Sequence, residues 1–180
     1  MPTILSHAAV PLALGIGLGC RRIPRRLFVV GIVASIVPDF DVLAFRLGIP
    51  YADAFGHRGA SHSLAFALLL GLLALMLYRH LNAGRWISFA FVSVSAASHS
   101  LLDMLTNGGH GVALWWPLSQ TRCFFPWQVI EVSPLNLHRF LSGRGVEVLR
   151  SELWWVWLPA ALVCLMLFVW RRRDVLKRTS

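Results

Sequence analysis

Apolar runs close to the thickness of a bilayer, most of them bordered by arginines, constrain this chain more than any other feature. A helix crossing the hydrocarbon core needs about 20 apolar residues. Runs approaching that length lie at Ile4 to Cys20, Leu27 to Phe45, Ser61 to Tyr78, Trp86 to Thr106 and Glu152 to Trp170. Of the 180 residues, 57% are hydrophobic and 14% charged, whereas soluble domains average roughly 45–50% and 25%. The expected fold is all-α: an integral membrane bundle of about five transmembrane helices, one domain over residues 1–180. A long outer segment, Asn107 to Ser151, separates helices four and five. Its Trp115-Trp116-Pro117 and Phe124-Phe125-Pro126-Trp127 are too aromatic for free solvent and should sit at the interface or pack over the bundle. A helix is expected to start near Arg144 and run on into the fifth span.

Charge decides topology. There are 17 Lys+Arg against 8 Asp+Glu, a balance that can mark a nucleic-acid binder. Here the charges sort by loop. Arg21, Arg22, Arg25 and Arg26, then Arg79 and Arg85, then Arg171, Arg172, Arg173, Lys177 and Arg178 fall on one side, with only Asp174 as an acid. The other side mixes Arg46, Arg58, Arg122, Arg139, Arg144 and Arg150 with Asp39, Asp41, Asp53, Asp103, Glu131, Glu147 and Glu152. The positive-inside rule makes the first side cytoplasmic. The N-terminus is then expected outside and the C-terminus inside. The basic excess is a topological signal, the partner is the lipid bilayer, and no nucleic-acid binding is expected. The first run lacks a basic leader and should be retained. Cys20, Cys123 and Cys164 form no CxxC pair and read as free thiols.

Ionisable residues within membrane helices cost roughly 2.5–3.5 kcal/mol each on the insertion scale and are functional candidates. With this topology, His7, Asp39, Asp41, His57, His62, His99 and Asp103 all reach the outer face. Pro38 should bend the second helix and free backbone groups near Asp39 and Asp41. His99 and Asp103, at i and i+4, share one helix face. Singly, each residue has a plainer explanation: Asp39 a helix cap, Asp41 an ion pair with Arg46, Ser61 an N-cap, His99 and Asp103 a structural pair. Together, imidazoles and carboxylates at one depth form a ligand set for zinc, manganese or iron. Ser93, Ser95, Ser98 and Ser100 make the fourth helix small-sided and suited to close packing.

In this order, His7, Pro38-Asp39-Phe40-Asp41, His57-Arg58-Gly59-Ala60-Ser61-His62-Ser63 and Ser98-His99 with Asp103, followed by Thr106 and a Gly-rich turn, resemble a bacterial inner-membrane family. Its members are described as metal-dependent hydrolases, and one of them is under LexA control. That family is in turn similar to zinc-dependent phospholipase C and P1-type nucleases, whose helical His-x-x-x-Asp element His99 and Asp103 match. The His-x-x-x-Glu element those enzymes use for a further metal is missing here. The resemblance therefore implies one or two divalent ions, with zinc as the expected metal, in the inner membrane.

The implied reaction is metal-assisted hydrolysis of a phosphoester, a phospholipid or a small molecule, at the outer face. Asp39 or Asp41, where unligated, would serve as general base, and Arg58 would bind a phosphate oxygen. Two other classes stay open on the residues alone. His62 and His99 could ligate haem, or the His/Asp set could carry protons or metal ions across the membrane.

Overall fold

The computed structural model describes residues 1–134, 138 and 140–179. Arg139 and the side chains of Lys177 and Arg178, part of the charge pattern above, lie outside the described residues. Among the described residues the fold is helical, with no strand and two isolated bridges, Thr106 with Ile130 and Val112 with Cys123.

The N-terminal run divides into α1 (Ile4–His7) and α2 (Ala9–Leu18). Pro11 explains the break, because it has no N–H to give the His7 carbonyl. Next comes α3 (Arg25–Ala34). Pro38 halts it, and the chain tightens into a 3₁₀ helix, Val37–Leu47. A second, short 3₁₀ turn, Ala60–His62, leads into α4 (Leu64–Met76). Ser63 caps α4, its hydroxyl accepting from the Phe66 N–H at 3.1 Å. α5 spans Arg85–Met104. After residues 105–134, α6 (Gly145–Glu152) continues through a widened π turn, Leu153–Trp157, into α7 (Leu158–Thr179). The π turn ends two residues before Pro159, which has no N–H for the carbonyl one turn back.

Three helical stretches are long and apolar enough to cross a membrane: Arg25–Leu47, Arg85–Met104 and Gly145–Asp174. The expected first and third spans are shorter, Ile4–Leu18 and Leu64–Met76. At about 1.5 Å per residue, the 13 residues of α4 cover only part of a core about 30 Å thick. The cause is local. Gly19, at φ 77°, ends α2, and the Ser63 cap starts α4 after His62, so neither helix uses its full apolar run. The helix expected to begin near Arg144 does so and continues into the last span.

Helix α5 is the hub, packed by α2, α3, α4 and both 3₁₀ turns. Its contact with α4 is the most extensive, through the small stripe Ala67, Gly71 and Ala74. A Cβ on Gly71 would lie 1.9 Å from the Ser93 hydroxyl, so the two backbones approach as only small residues permit. Leu68, Leu69, Leu72, Leu73 and Met76 point outward. α7 packs on α2, where a Cβ on Gly17 would lie 2.7 Å from Leu167 Cβ.

Residues 105–134 fold back over one end of the bundle. Asn107 and Ile130 join them to the end of α5 (Asn107 N–H to Ile130 O, 3.0 Å; Ile130 N–H to Leu105 O, 3.0 Å), and Val112 and Cys123 exchange both backbone bonds at 3.0 Å. Val112, Leu114 and Met104 form a small core with Phe125 and Leu64. Of the aromatic groups expected here, Phe125 packs inward, whereas Trp115 and Trp127 are exposed.

Candidate metal centre

The ends of α1, α3, α4 and α5 that meet beneath residues 105–134 bring Asp39, His62, His99 and Asp103 together. All four are buried, and each offers a ligand atom within 4.8 Å of the others. His62 Nε2 stands 2.9 Å from His99 Nε2 and 3.4 Å from Asp103 Oδ2. Asp39 Oδ1 is 3.4 Å from His99 Nε2 and 3.9 Å from His62 Nε2. These separations bracket the roughly 3.3 Å edge of a tetrahedron built from metal–ligand bonds of about 2.0–2.1 Å.

The imidazoles are fixed from behind. The carbonyl of Ser35 can only accept, so His99 Nδ1, at 2.8 Å, donates to it. Pro38 is the origin of that contact. In a 3₁₀ turn the Ser35 carbonyl would accept from residue 38, which has no N–H, and in an α-helix from Asp39, whose N–H goes to Ile36 O at 3.1 Å. The freed carbonyl takes the His99 proton and leaves Nε2 as a lone pair. Asp41 does the same for His62, accepting from Nδ1 at 3.0 Å. Two Nε2 lone pairs facing each other at 2.9 Å repel unless a cation lies between their ends. Carboxylate or carbonyl support behind a ligating histidine is the usual arrangement in metal sites.

The acids behave differently from one another. Successive residues of a 3₁₀ helix turn by about 120°, so Asp39 and Asp41 leave the helix in different directions and Phe40 in a third, toward the exterior. Asp39 enters the centre, and both of its oxygens lack a hydrogen-bond partner. Asp41 does not join the four. It accepts from His57 Nδ1 (2.5 Å), the Arg58 N–H (3.0 Å) and the Ser61 hydroxyl (2.7 Å), besides His62. His57 is thus held behind Asp41, against Tyr51, rather than at the centre. His7 reaches the centre from α1, stacked on His99 with ring centroids 3.7 Å apart.

Arg58 is buried, at a left-handed φ of 61°. Its Nε pairs with Asp103 Oδ2 at 2.9 Å, Nη1 donates to Gly108 O at 2.8 Å, and Nη2 donates to the Thr106 hydroxyl at 3.0 Å. The guanidinium holds Asp103 and the turn after α5, so the phosphate contact expected of Arg58 competes with groups of its own chain. Arg122, in the folded-back segment, donates to the carbonyls of His57, Tyr51 and Asp53. Burial lowers its guanidinium and raises the Tyr51 phenol relative to their ordinary values.

The sequence did not mark Ser35, Arg122 or Glu152 as part of this machinery. Glu152 is buried in α6. It accepts from the Thr3 hydroxyl and the Ser6 hydroxyl, both at 2.8 Å, and from the Thr3 N–H. Trp157 Nε1 adds a bond to Ser6 at 3.1 Å. This clamp holds α1 one residue before His7. A glutamate opening an apolar run was the available signal.

A bundle with membrane-length helices and a sealed His/Asp centre defines a membrane protein equipped to hold a metal ion. The chain belongs to the YdjM inner membrane protein family, which matches residues 1–174. It is 50% identical over 174 residues to the inner membrane protein YbcI of Escherichia coli K12, covering 96% of this chain and all of that one. It is 33% identical over 144 residues to the inner membrane protein YdjM of the same strain, covering 73% of this chain and 65% of YdjM, and likewise to YdjM of Shigella flexneri. No solved structure matches.

Proposed function

We propose that this protein is a membrane-bound metal-dependent hydrolase acting on a phosphoester, a phospholipid or a similar amphipathic molecule, at the outer face of the bacterial inner membrane. The observation that carries the reading is the convergence of Asp39, His62, His99 and Asp103 in a sealed interior, with both Asp39 oxygens lacking a hydrogen-bond partner. A buried carboxylate without a partner costs several kcal/mol, and a bound cation removes that cost. Zinc is the expected ion, since imidazole and carboxylate both suit it.

A divalent ion held in this centre would supply Lewis acidity and would make water a competent nucleophile near neutral pH. The chain's own residues do the rest. Asp41 and the Ser35 carbonyl keep the protons of His62 and His99 on the far side of each ring. Arg58 balances the charge of Asp103. An oxygen of Asp39 left free of metal would take a proton from water. Residues 105–134 shield the centre from bulk solvent. The N-terminus is read as periplasmic and the C-terminus as cytoplasmic, from the arginine pattern.

The haem alternative is disfavoured by geometry. His62 and His99 are 2.9 Å apart with two carboxylates against them, which leaves no slot for a macrocycle. Purified in detergent, the protein should carry a divalent metal and cleave a synthetic phosphodiester or a short-chain phospholipid in micelles. His99→Ala should lose both properties. Full metal retention in His99→Ala and in Asp103→Ala removes the reading. Cation uptake into proteoliposomes without hydrolysis replaces it with ion translocation.

A further inference from the structure

We infer that the centre holds two divalent cations, the second on His7, with Asp39 and Asp103 as bridging carboxylates. This rests on the metal-site reading above and extends it. The argument begins with how the oxygens divide. Asp39 turns Oδ1 toward His99 and His62, and Oδ2 toward His7, 3.6 Å from its Nε2. Asp103 turns Oδ2 toward His62 and Oδ1 toward His7, 3.7 Å from the same nitrogen. Each carboxylate therefore serves two neighbouring positions with different atoms. One position is bounded by His62, His99, Asp39 Oδ1 and Asp103 Oδ2. The other is bounded by His7 Nε2, Asp39 Oδ2 and Asp103 Oδ1.

A second observation points the same way. His7 is fully buried, and neither ring nitrogen has a hydrogen-bond partner. An imidazole so placed is costly without a ligand for its lone pair. Its ring lies nearly parallel to that of His99, with centroids 3.7 Å apart and an interplanar angle of 19°. Stacked imidazoles at that spacing present donors to adjacent points, and two-metal sites hold their ions about 3.5–4 Å apart.

The two positions differ in kind. The first has four protein donors and is closed, as structural sites are. The second has three, which leaves room for a water or a substrate oxygen, as catalytic sites do. His7 also has no acceptor behind Nδ1, whereas His62 and His99 do. The His7 ion should therefore be the more weakly held and the first to exchange.

Manganese is the probe. The wild-type protein in detergent, stripped with chelator and reloaded with Mn²⁺, should bind two ions per chain and give a spin-coupled electron paramagnetic resonance signal. His7→Ala should bind one ion and show an uncoupled signal. His7→Phe, which keeps a ring against His99 but offers no donor, should match it. One ion in saturated wild type, or an uncoupled signal there, overturns the second position and leaves the first standing. Two coupled ions in His7→Phe also overturn it. No bound ion at all removes both readings. The wild-type spectrum decides the matter even if a variant fails to fold.

Discussion

Helix α5 and the helix Gly145–Asp174 are both long and apolar enough to cross a membrane, yet they are opposite in construction. The second is the more apolar, with a mean hydropathy of 2.1 against 1.3. It is also almost bare, whereas α5 is largely buried. Leu162, Leu165, Met166 and Val169 on α7 face outward, while Ser95, Ser98, His99, Ser100 and Asp103 on α5 face inward. A water-soluble bundle would reverse this. In lipid, the apolar surface has nothing to escape from, and the polar side chains must satisfy one another inside. Ser95 and Ser98 do so by donating to the carbonyls of Phe91 and Ser95 in their own helix. His99 and Asp103 do so through partners on other elements.

That contrast can be broken most directly at Asp103. Asp103→Ala should abolish metal binding and leave the buried Arg58 without its ion pair, lowering stability by about 3–5 kcal/mol. Metal analysis and thermal unfolding in detergent check both, and a variant as stable as wild type would show that Arg58 finds another anion. Gly71→Val should cost about 1–3 kcal/mol by overpacking the α4–α5 contact, seen as a lower unfolding midpoint. Glu152→Ala tests a buried polar tie of the bare helix. Losing the acceptor for Thr3 and Ser6 should cost about 1–3 kcal/mol, and protease sensitivity near the N-terminus should rise. Leu165→Ala should change stability by no more than about 0.5 kcal/mol, as surface changes do. A larger loss would mean that this face is covered by protein, and cross-linking would then find the copy that covers it.

Much of this difference was readable in the chain. The apolar runs gave the helices, and the arginine clusters marked where most of them stop. The meeting of His7, Asp39, His62, His99 and Asp103 followed from alternating helix direction. What was not readable depended on backbone detail. Asp39 and Asp41 differ by two positions, and only the 3₁₀ geometry decides that one enters the centre and the other stands behind His62. His57 was grouped with the ligands because the spacing from His57 to His62 carries no record of which ring Asp41 restrains. Arg58 looked like a free cation, since its partners, Asp103, Thr106 and the Gly108 carbonyl, lie about 45–50 residues away in sequence. The first run was already short for a span, but the shortness of α4 was not readable, because the Ser63 cap, not hydropathy, sets where that helix begins.

Pro38 offers no ligand atom, yet it reaches the centre through a relay of absences. Its ring nitrogen lacks one hydrogen, so an acceptor three residues earlier goes unclaimed. An imidazole across the bundle claims it, and in turning to do so exposes the electron pair that faces the centre. A residue counted only by hydropathy or by contact would look expendable. Counted by donors and acceptors, it sets the polarity of His99, and a change to alanine would return the hydrogen and compete for the same oxygen without altering a single ligand.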